Sequence, residues 1–269
     1  MGFDHANRGI GIRDHQLILP SVVCSTHVAR RIATSVGSVT FAHQHGCGII
    51  GNDVGGITQY FASLAKHPNI GSVLIVGLGC ETIQGNELAE KLINENSSTK
   101  YLIIQESGGV AATVDAGIRF AKELSKEYPS AIAEIKKLKI GFDFSNSNNF
   151  SNELAEELRR LGHQVILASS HKNSGLNFSE LMEAGVHLII SFPQEGQPAS
   201  GFPFIPTITI ASASPLHQAL IRDFDFDQDS SIQEIIGFVI RVAHGEVSKV
   251  EKLDIGEIIA PRGGTQCLT

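Results

Sequence analysis

The sequence contains no apolar run long enough to cross a membrane. No stretch approaches the roughly 18 to 20 consecutive apolar residues that a spanning helix needs. The first residues, MGFDHANRG, are polar and carry no signal-peptide core. We therefore expect a cytoplasmic protein that has no membrane partner.

A basic stretch of the kind that binds nucleic acid is also missing. The chain has 21 Lys and Arg against 28 Asp and Glu, which gives a formal net charge of -7. Its basic clusters, Arg30-Arg31 and KKLK at residues 136–139, are short. Binding to a phosphate backbone normally requires a basic face. We therefore expect no nucleic-acid partner.

Cysteine is scarce, and none of the 4 cysteines belongs to a CxxC pair. Thiols stay reduced in the cytoplasm, so disulfides are not expected. A zinc ribbon or a thioredoxin-type site would need closely paired cysteines. The cysteines are therefore interpreted as free thiols, metal ligands or packing residues, and Cys267 near the C-terminus as a free thiol.

Short apolar runs alternate with amphipathic stretches along all 269 residues. The predicted strands are Leu17 to Val23, Val39 to Ala42, Ser72 to Val76, Tyr101 to Ile104, Leu138 to Phe142, Val165 to Ala168, Leu188 to Ser191 and Thr207 to Ala211. The predicted helices are His27 to Ser35, Ile57 to Lys66, Asn86 to Asn94, Val110 to Tyr128, Asn152 to Leu161, Phe178 to Ala184, Pro215 to Arg222 and Ile232 to His244. This alternation predicts an α/β fold, a doubly wound and mostly parallel Rossmann-like sheet with helices on both faces. We expect residues 1–269 to form a single domain with one continuous sheet, and the Ser/Asn-rich residues 145–152 are the alternative boundary.

Three cysteines follow predicted strands closely. Cys24 comes after LILPSVV, Cys47 after SVTF and Cys80 after SVLIV. The carboxyl ends of the strands of an open α/β sheet form its ligand crevice. We therefore expect the three thiols to meet at one edge of the sheet, where they could hold a metal or do thiol chemistry.

Two histidines add to this set, in the segment AHQHGCGIIGNDVGG at residues 42–56. His43 and His45 have strand spacing, so both side chains could face one side, and Gly46 lets the chain turn towards Cys47. Imidazole and thiolate suit iron, zinc or manganese, so the set does not identify the metal. Asp53 is either a further ligand or a helix cap. A glycine-rich loop with internally satisfied histidines is the equally favoured alternative.

The segment GLGCETIQG at residues 77–85 lies between a predicted strand and a predicted helix. This position is typical of an anion-binding loop. Thr82 nevertheless replaces the third glycine of the dinucleotide fingerprint. A helix start would lower the pKa of Cys80, and Glu81 would add a carboxylate to the ligands. A small buried cysteine in a tight turn is the alternative.

The segment QESGGVAAT at residues 105–113 leads into the longest predicted helix. Glu106 is a candidate base. The amides of Gly108 and Gly109, together with Ser107, are candidates for binding a substrate carboxylate. In the alternative interpretation Ser107 only caps the helix.

Two residues near the first strand are further candidates. Arg13, in GIGIRDH, could clamp a carboxylate with two hydrogen bonds, although spacing alone favours a surface ion pair. His27, in CSTHVARR, could be a general acid or base, or could cap the helix.

Taken in order, these segments resemble the altronate/galactarate dehydratase family, which is related to the large subunit of sulfolactate sulfo-lyase. The resemblance covers most of the chain and rests on the segments GIGIRDHQLILPSVVCSTHVARRIA, HQHGCG with GND, KHPNIGSVLIVGLGCE, QESGGVAATVDAG and EAGVHLIISFPQEGQPASGFPFIPTITI. It implies a Rossmann-like catalytic domain, a sugar-acid substrate and dependence on divalent iron or a similar metal. The positions that match the family pattern are Arg13, Cys24, His27, His43 or His45, Cys47, Cys80, Glu81, Glu106 and Gly109.

The chain departs from the family pattern in two places. It has no N-terminal β-clip domain, so the resemblance implies a separate small β-clip subunit as a partner. The family's Cys-Gly-Gly-Ser-Asp segment is replaced by Phe142-Asp143-Phe144-Ser145, and the family's fourth thiol is therefore absent.

The residues and the resemblance together predict a homo-oligomeric hydro-lyase that acts on a small carboxylate substrate. The expected cofactor is iron, as Fe²⁺ or an iron–sulfur cluster, with manganese as the alternative. Its predicted ligands are Cys24, His43, Cys47, Cys80 and Glu81. The predicted acid–base residues are His45, Glu106 and His27, and the predicted substrate-binding residues are Arg13, Ser107, Gly108 and Gly109. Elimination of sulfite and non-catalytic ligand binding or regulation are the alternatives, and the missing third glycine argues against a nicotinamide-linked oxidoreductase.

Overall fold

The computed structural model describes residues 2–5, 8–43, 45, 47, 52–95, 98–168, 171 and 173–259. For Asn52, Asp53 and Glu95 it describes the backbone alone. The predictions for Gly46, for the Asp53 side chain and for Cys267 therefore fall outside what is described.

The described chain divides into two compact units. The N-terminal unit contains Asp4–Gly9 and Asp14–Ala131, and the C-terminal unit contains Ile10–Arg13 and Ile132–Ile258. Three short strands, β1 (Gly2–His5), β2 (Gly9–Gly11) and β7 (Ala131–Ala133), lie where the chain passes from one unit to the other.

The N-terminal unit is built on a parallel sheet of four strands in the order β4-β3-β5-β6. Its strands are β3 (His15–Pro20), β4 (Val39–Thr40), β5 (Ile70–Gly77) and β6 (Thr99–Ile103). Its helices are α1 (Thr26–Val36), α2 (Asn52–Ala65), α3 (Gly85–Glu95) and α4 (Val110–Glu127). Helix α1 packs against α4, and α2 packs against α3.

Both faces of this sheet are buried, which explains why its strands are apolar without interruption. Leu74 and Val76 of β5 join a core cluster with residues of α1 and α4. Val73 and Ile75 point to the opposite face and are also fully buried. The sheet is therefore covered by helices on both sides, as a parallel sheet must be.

The C-terminal unit is built on a second parallel sheet, in the order β12-β11-β10-β8-β9. Its strands are β8 (Lys139–Asp143), β9 (Gln164–Ala168), β10 (Leu188–Ser191), β11 (Thr207–Ala211) and β12 (Phe226–Asp227). Its helices are α5 (Asn149–Arg160), α6 (Ser174–Glu183), α7 (Pro215–Ala219), α8 (Ile232–Ala243) and α9 (Lys249–Leu253). The core of this unit joins alternate residues of β8, β10 and β11 to the apolar faces of α5 and α8.

The predicted fold class is confirmed, since both sheets are parallel and flanked by helices. All eight predicted strands and all eight predicted helices are present, with ends shifted by a few residues. The expectation of one continuous sheet is corrected. Strand β8 pairs with β9 on one side and β10 on the other, so it has no edge left for β6.

Local capping chemistry explains several helix starts. Ser214 caps α7, with Pro215 in the first turn. Helix α5 begins earlier than the predicted Asn152 because Asn148 is its N-cap. Ser151 and Asn148 instead form a capping box. Within the described ranges, no helix has the length and apolar character that a membrane span requires.

Candidate functional site

The first sheet has its topological switch point between β3 and β5. From β3 the chain goes first to β4 on one side and then to β5 on the other. Ligands of open α/β sheets bind outside the carboxyl ends of the strands at such a point. Cys24, Cys47 and Cys80 follow the carboxyl ends of β3, β4 and β5, the three adjacent strands that flank it.

The structure brings the three thiols together. Partial desolvation, the neighbouring Cys24 and Cys80, a hydrogen bond with the Cys24 thiol and the charge of Glu81 all raise the pKa of Cys47. All three cysteines are free and exposed. The cluster is thus open to solvent, and a thiolate at Cys47 is disfavoured unless a positive charge lies beside it.

Cys80 is not at a helix N-terminus. Helix α3 begins only at Gly85, and Cys80 lies in a bend of the preceding loop. The predicted position of Cys80 at a helix start is therefore wrong.

Glu81 is folded back into its own loop. Its Oε1 accepts hydrogen bonds from Ser21 Oγ at 2.9 Å and from the Leu78 amide at 3.0 Å. Its Oε2 accepts from the Gly79 amide at 2.5 Å. Burial raises the pKa of Glu81, but the amides of Gly79, Glu81 itself and Leu78, with Ser21, outweigh burial and hold that pKa below its usual value.

This arrangement corrects two predictions. The Leu78 and Gly79 amides, which would bind an anion or a dinucleotide in this loop, already donate to the Glu81 carboxylate. The predicted anion-binding loop is therefore filled by a side chain of the protein itself. The buried Glu81 carboxylate shapes the loop and is not presented as a metal ligand. Gly77 is required here, because a Cβ atom at this position would lie 2.6 Å from Glu81 Oε1.

His43 is also committed to the fold. Its Nε2 lies 2.8 Å from the Pro20 carbonyl oxygen, and its Nδ1 accepts the His45 amide at 3.1 Å. Burial lowers the pKa of His43 to about 4, so the ring is neutral and Nε2 is the donor. Both ring nitrogens are used, so the prediction of His43 as a metal ligand is wrong.

His45 lies beside His43, as the strand spacing predicted. The two rings stack with centroids 6.1 Å apart, and the His45 side chain is buried. Its carbonyl oxygen accepts the Val23 amide at 2.9 Å, which ties the loop after β4 to the segment that carries Cys24.

The loop after β6 adjoins the Cys80 loop. A Cβ atom on Gly79 would lie 2.7 Å from Gln105 Oε1, so the two loops are in contact. Next to Gln105, Glu106 is exposed. Ser107 is not the cap of α4, because its hydroxyl donates to the Ile103 carbonyl oxygen at 2.7 Å.

Gly108 and Gly109 precede α4 with φ values of 85° and 94°. The Gly109 amide donates to the Ile104 carbonyl oxygen at 3.1 Å, so it is not available to a substrate as predicted. Gly109 is the N-cap residue of α4, and no side chain caps this helix. The first turn of α4 therefore has amides that no side chain caps.

His27 is the second residue of α1 and its side chain is exposed. Ser25, and not His27, occupies the N-cap position. An exposed imidazole keeps the acid–base interpretation open and excludes the capping one.

Arg13 is a structural residue of the C-terminal unit. Its Nε and one terminal nitrogen hold both oxygens of Glu251, at 2.8 and 3.1 Å. Its other N–H groups donate to the carbonyl oxygens of Ile12, Val242 and Glu246. All five guanidinium donors are used, so the prediction of a substrate clamp is wrong.

Among the residues that the structure describes, no group of three or more His, Cys, Asp and Glu is arranged as metal ligands. The predicted site residues thus fall into two groups. The three thiols are adjacent, whereas Glu81, His43 and Arg13 hold the protein together.

Two residues of this site are absent from the sequence-based prediction. Ser21 links the end of β3 to Glu81, and Gln105 reaches the Cys80 loop. The available signal was position, since Gln105 follows directly on a predicted strand and Ser21 lies near the end of one.

Comparison with known proteins adds to this geometry. Residues 2–128 match the family model described as D-galactarate dehydratase/altronate hydrolase, second domain. The chain is similar to altronate dehydratase of Bacillus subtilis (strain 168), with 31% identity over 172 residues, which are 58% of this chain and 34% of that protein. It is similar to altronate dehydratase of Escherichia coli (strain K12), with 28% identity over 174 residues, again 58% of this chain and 34% of that protein.

The chain therefore spans about a third of the length of the curated relatives that it matches. The family model covers nearly the same residues as the N-terminal unit, where the thiol cluster lies. Residues 2–128, just under half of the chain, thus resemble the second domain of the D-galactarate dehydratase/altronate hydrolase family.

Proposed function

We propose that this chain acts as a hydro-lyase of the altronate/galactarate dehydratase type, which removes water from a sugar acid or a related hydroxy acid with the help of a divalent metal. The observation that carries the proposal is the meeting of Cys24, Cys47 and Cys80 at the switch point of the first sheet. The relatives named as altronate dehydratases support the reaction type.

The thiol cluster suits iron in the kind of its donors. Thiolates are ligands of iron and of iron–sulfur clusters, and three cysteines leave a coordination position for substrate. The raised pKa of Cys47 supports this assignment, because a nearby dication would relieve the mutual repulsion of three thiolates. The three thiols are exposed and in no disulfide, so they are accessible to an ion from solvent. Manganese is the alternative metal.

A metal held by these cysteines would stabilise the negative charge that develops on the substrate carboxylate as the proton leaves the neighbouring carbon. The protein must position the substrate and remove that proton. We assign the substrate carboxylate to the first turn of α4, whose amides no side chain caps. The contact between the Gly79 and Gln105 loops supports this assignment, because it brings the β6 loop beside the Cys80 loop.

We assign the base to His45, with exposed Glu106 as the alternative. His45 is buried, lies two residues before Cys47 and is stacked on His43. His43 is a positioning residue, because its neutral ring holds the His45 amide and the Pro20 carbonyl oxygen together. The leaving β-hydroxyl takes a proton and departs as water, for which exposed His27 is the candidate acid.

Metal binding is tested first, by measuring iron, manganese and sulfide in the full chain purified without oxygen. Cys24→Ser, Cys47→Ser and Cys80→Ser should each lose most of the bound metal. The matched control is Val23→Ala, an exposed neighbour of Cys24 that contributes no ligand atom. Metal that persists in all three cysteine variants, or no metal in the wild-type chain, would contradict the proposed site.

The reaction is tested by assaying altronate and galactarate for formation of the keto acid, with the chain alone and with a small β-clip partner subunit, which the family resemblance implies. His45→Gln should lower turnover by a hundredfold or more, roughly the contribution of a positioned base. Glu106→Gln is the matched control and should change turnover far less. The opposite ranking would make Glu106 the base. Metal binding without turnover, or sulfite release from sulfolactate, would favour the ligand-binding or the sulfo-lyase alternative.

A further inference from the structure

Strand β9 is an edge of the C-terminal sheet, because it pairs with β8 on one side and with no described strand on the other. The Gln164 amide donates to the Leu138 carbonyl oxygen, and the Ala168 carbonyl oxygen accepts the Phe144 amide, both at 2.9 Å. The main-chain groups of successive strand residues point alternately to the two sides of the strand. The first, third and fifth residues of β9 therefore belong to the ladder with β8.

The second and fourth residues of β9, Val165 and Leu167, point their N–H and C=O groups away from the sheet. No hydrogen bond joins these groups to any part of the chain that the structure describes. A row of unpaired main-chain groups is a template for a further strand. Leu167 is 45% exposed, and Val165 and Ile166 are half-buried, so apolar side chains along this edge also remain open to solvent.

Edge strands are normally protected by short length, by charged side chains, by proline or by a bulge, and β9 has none of these. Its sequence is QVILA, and its register with β8 is regular. At the opposite edge of the same sheet, β12 has only two residues and includes Asp227. In the N-terminal unit, β4 also has two residues, and β6 carries Lys100, which pairs with Glu123 at 2.9 Å. Among the described edges of the two parallel sheets, that of β9 is the one left unprotected.

A second copy of β9 complements this edge when it runs antiparallel about a twofold axis at Ile166. Val165 of one copy then lies opposite Leu167 of the other, and each such pair exchanges two N–H···O bonds. Every outward N–H and C=O group of both copies gains a partner in this register. The side chains that meet are apolar on both faces of the sheet, Val165 with Leu167 on one face and Ile166 with its own copy on the other.

The helices on the two faces of the sheet favour a copy of this chain over a single peptide strand. Helices α5 and α6 both contact β9. Val165 packs against the core cluster that contains Leu154 of α5, and Leu181 of α6 lies over Gly141 of β8 on the other face. A copy brings its own α5 and α6, so both faces of the added strand are covered. A lone peptide would leave its outer faces in water.

We infer that two copies of this chain associate through antiparallel pairing of their β9 strands, which joins the two C-terminal sheets edge to edge. The contact is short, so the dimer should dissociate on dilution. The inference does not depend on the proposed reaction, because β9 lies in the C-terminal unit and the thiol cluster lies in the N-terminal one.

Sedimentation of the full chain over a range of concentrations measures this association. Leu167→Lys places a charge on the open edge and should weaken dimerisation at least about tenfold. Leu253→Lys is the matched control, because Leu253 is a similarly exposed leucine, at 48%, on α9 of the same unit. It should leave the dissociation constant within about twofold. Val165→Pro removes an outward N–H and none from the ladder with β8, so it should act like Leu167→Lys.

Hydrogen exchange of single amides distinguishes this dimer from association through another surface. The Val165 and Leu167 amides should be protected at high concentration and exchange freely on dilution, whereas the Ile166 amide should stay protected at both. A chain that is monomeric at every concentration, or a dimer that Leu167→Lys leaves intact, would overturn the inference. So would protection of Val165 and Leu167 that does not change on dilution, because another segment of the same chain would then cover the edge.

Discussion

The two units use one strand order to present two kinds of chemistry. In each, the chain leaves the central strand to one side and returns on the other, β3-β4-β5 in the first unit and β8-β9-β10 in the second. Each switch point also holds a buried carboxylate bound to a serine across the gap, Glu81 with Ser21 and Asp143 with Ser191. Three exposed thiols lie beside the first pair, and hydroxyl and amide groups lie beside the second. The topology thus gives the place for a site, while a few loop residues decide what it binds.

Acid should destabilise the C-terminal unit through protonation of His187. Burial, followed by the charge of Lys139, lowers the pKa of His187 to about 4. An unfolded histidine takes up its proton near pH 6.5, so the stabilisation is complete above that pH and is lost as the pH falls towards about 4. The loss should reach about 3 kcal/mol of unfolding free energy.

Denaturation at pH 4 to 7, followed by amide signals of each unit, measures this loss. His187→Gln keeps an acceptor for the Lys139 amide, which His187 Nδ1 now accepts at 2.9 Å, and should flatten the pH dependence of the C-terminal unit alone. In this variant the N-terminal unit should still lose unfolding free energy as the pH falls, because burial lowers the pKa of His43 to about 4 as well. An unchanged pH slope in His187→Gln would show that other groups cause the acid sensitivity.

The two buried carboxylates should respond differently to amide substitution. In Glu81→Gln the new NH₂ group must face the backbone N–H of either Leu78 or Gly79, and a backbone donor cannot reverse. In Asp143→Asn the NH₂ group can face Ser191, whose hydroxyl can turn and accept. We expect Glu81→Gln to lower the free energy of unfolding by about 2 kcal/mol and Asp143→Asn by about half of that, although Asp143 is the more buried.

Hydrogen exchange at the loop after β5 and at the end of β8 gives the two local stabilities. Each variant is the control for the other, since both exchange a carboxylate for an amide. A larger loss in Asp143→Asn would mean that burial, and not the kind of donor, sets the cost.

Substitution of one glycine in each unit by alanine should give the smallest difference in stability between the two units. An added methyl group at Gly77 would meet Glu81 Oε1 at 2.6 Å, whereas at Gly141 it would meet the Leu181 methyl groups at 3.0 Å. Leu181 can shift within the core, but the Glu81 carboxylate would lose its Ser21 contact. Gly77→Ala should cost about 1 to 2 kcal/mol and Gly141→Ala less than about 1 kcal/mol, measured by thermal unfolding. Equal costs would indicate that Glu81 relaxes as easily as a leucine side chain.

The sequence predicted the main strands and helices because their burial leaves a local signal. Runs such as Leu188–Ser191 and Thr207–Ala211 are buried on both faces and were predicted with correct ends. Strands β1 (GFDH) and β12 (FD) contain no continuous apolar run, and β7 is largely exposed. The two-sheet arrangement depends on pairing between distant strands, which no local pattern contains.

The site was predictable where it depends on strand ends, and not where it depends on long-range partners. Cys24, Cys47 and Cys80 meet because each follows one of three adjacent strands. Arg13 finds Glu251 at a separation of 238 residues, which spacing cannot reveal. The inward fold of Glu81 and the network around Asp143 likewise depend on serines from other strands.

The chain passes between its two units more than once, so a single truncation cannot separate them cleanly. Ile10–Arg13 belongs to the C-terminal unit although both flanking segments belong to the other. A fragment that starts at Ile132 would lack Arg13, and Glu251 with the carbonyl oxygens of Val242 and Glu246 would lose their donor. Dissection of this protein by a single truncation would therefore leave an incomplete half, which a short peptide containing residues 10–13 should help to restore.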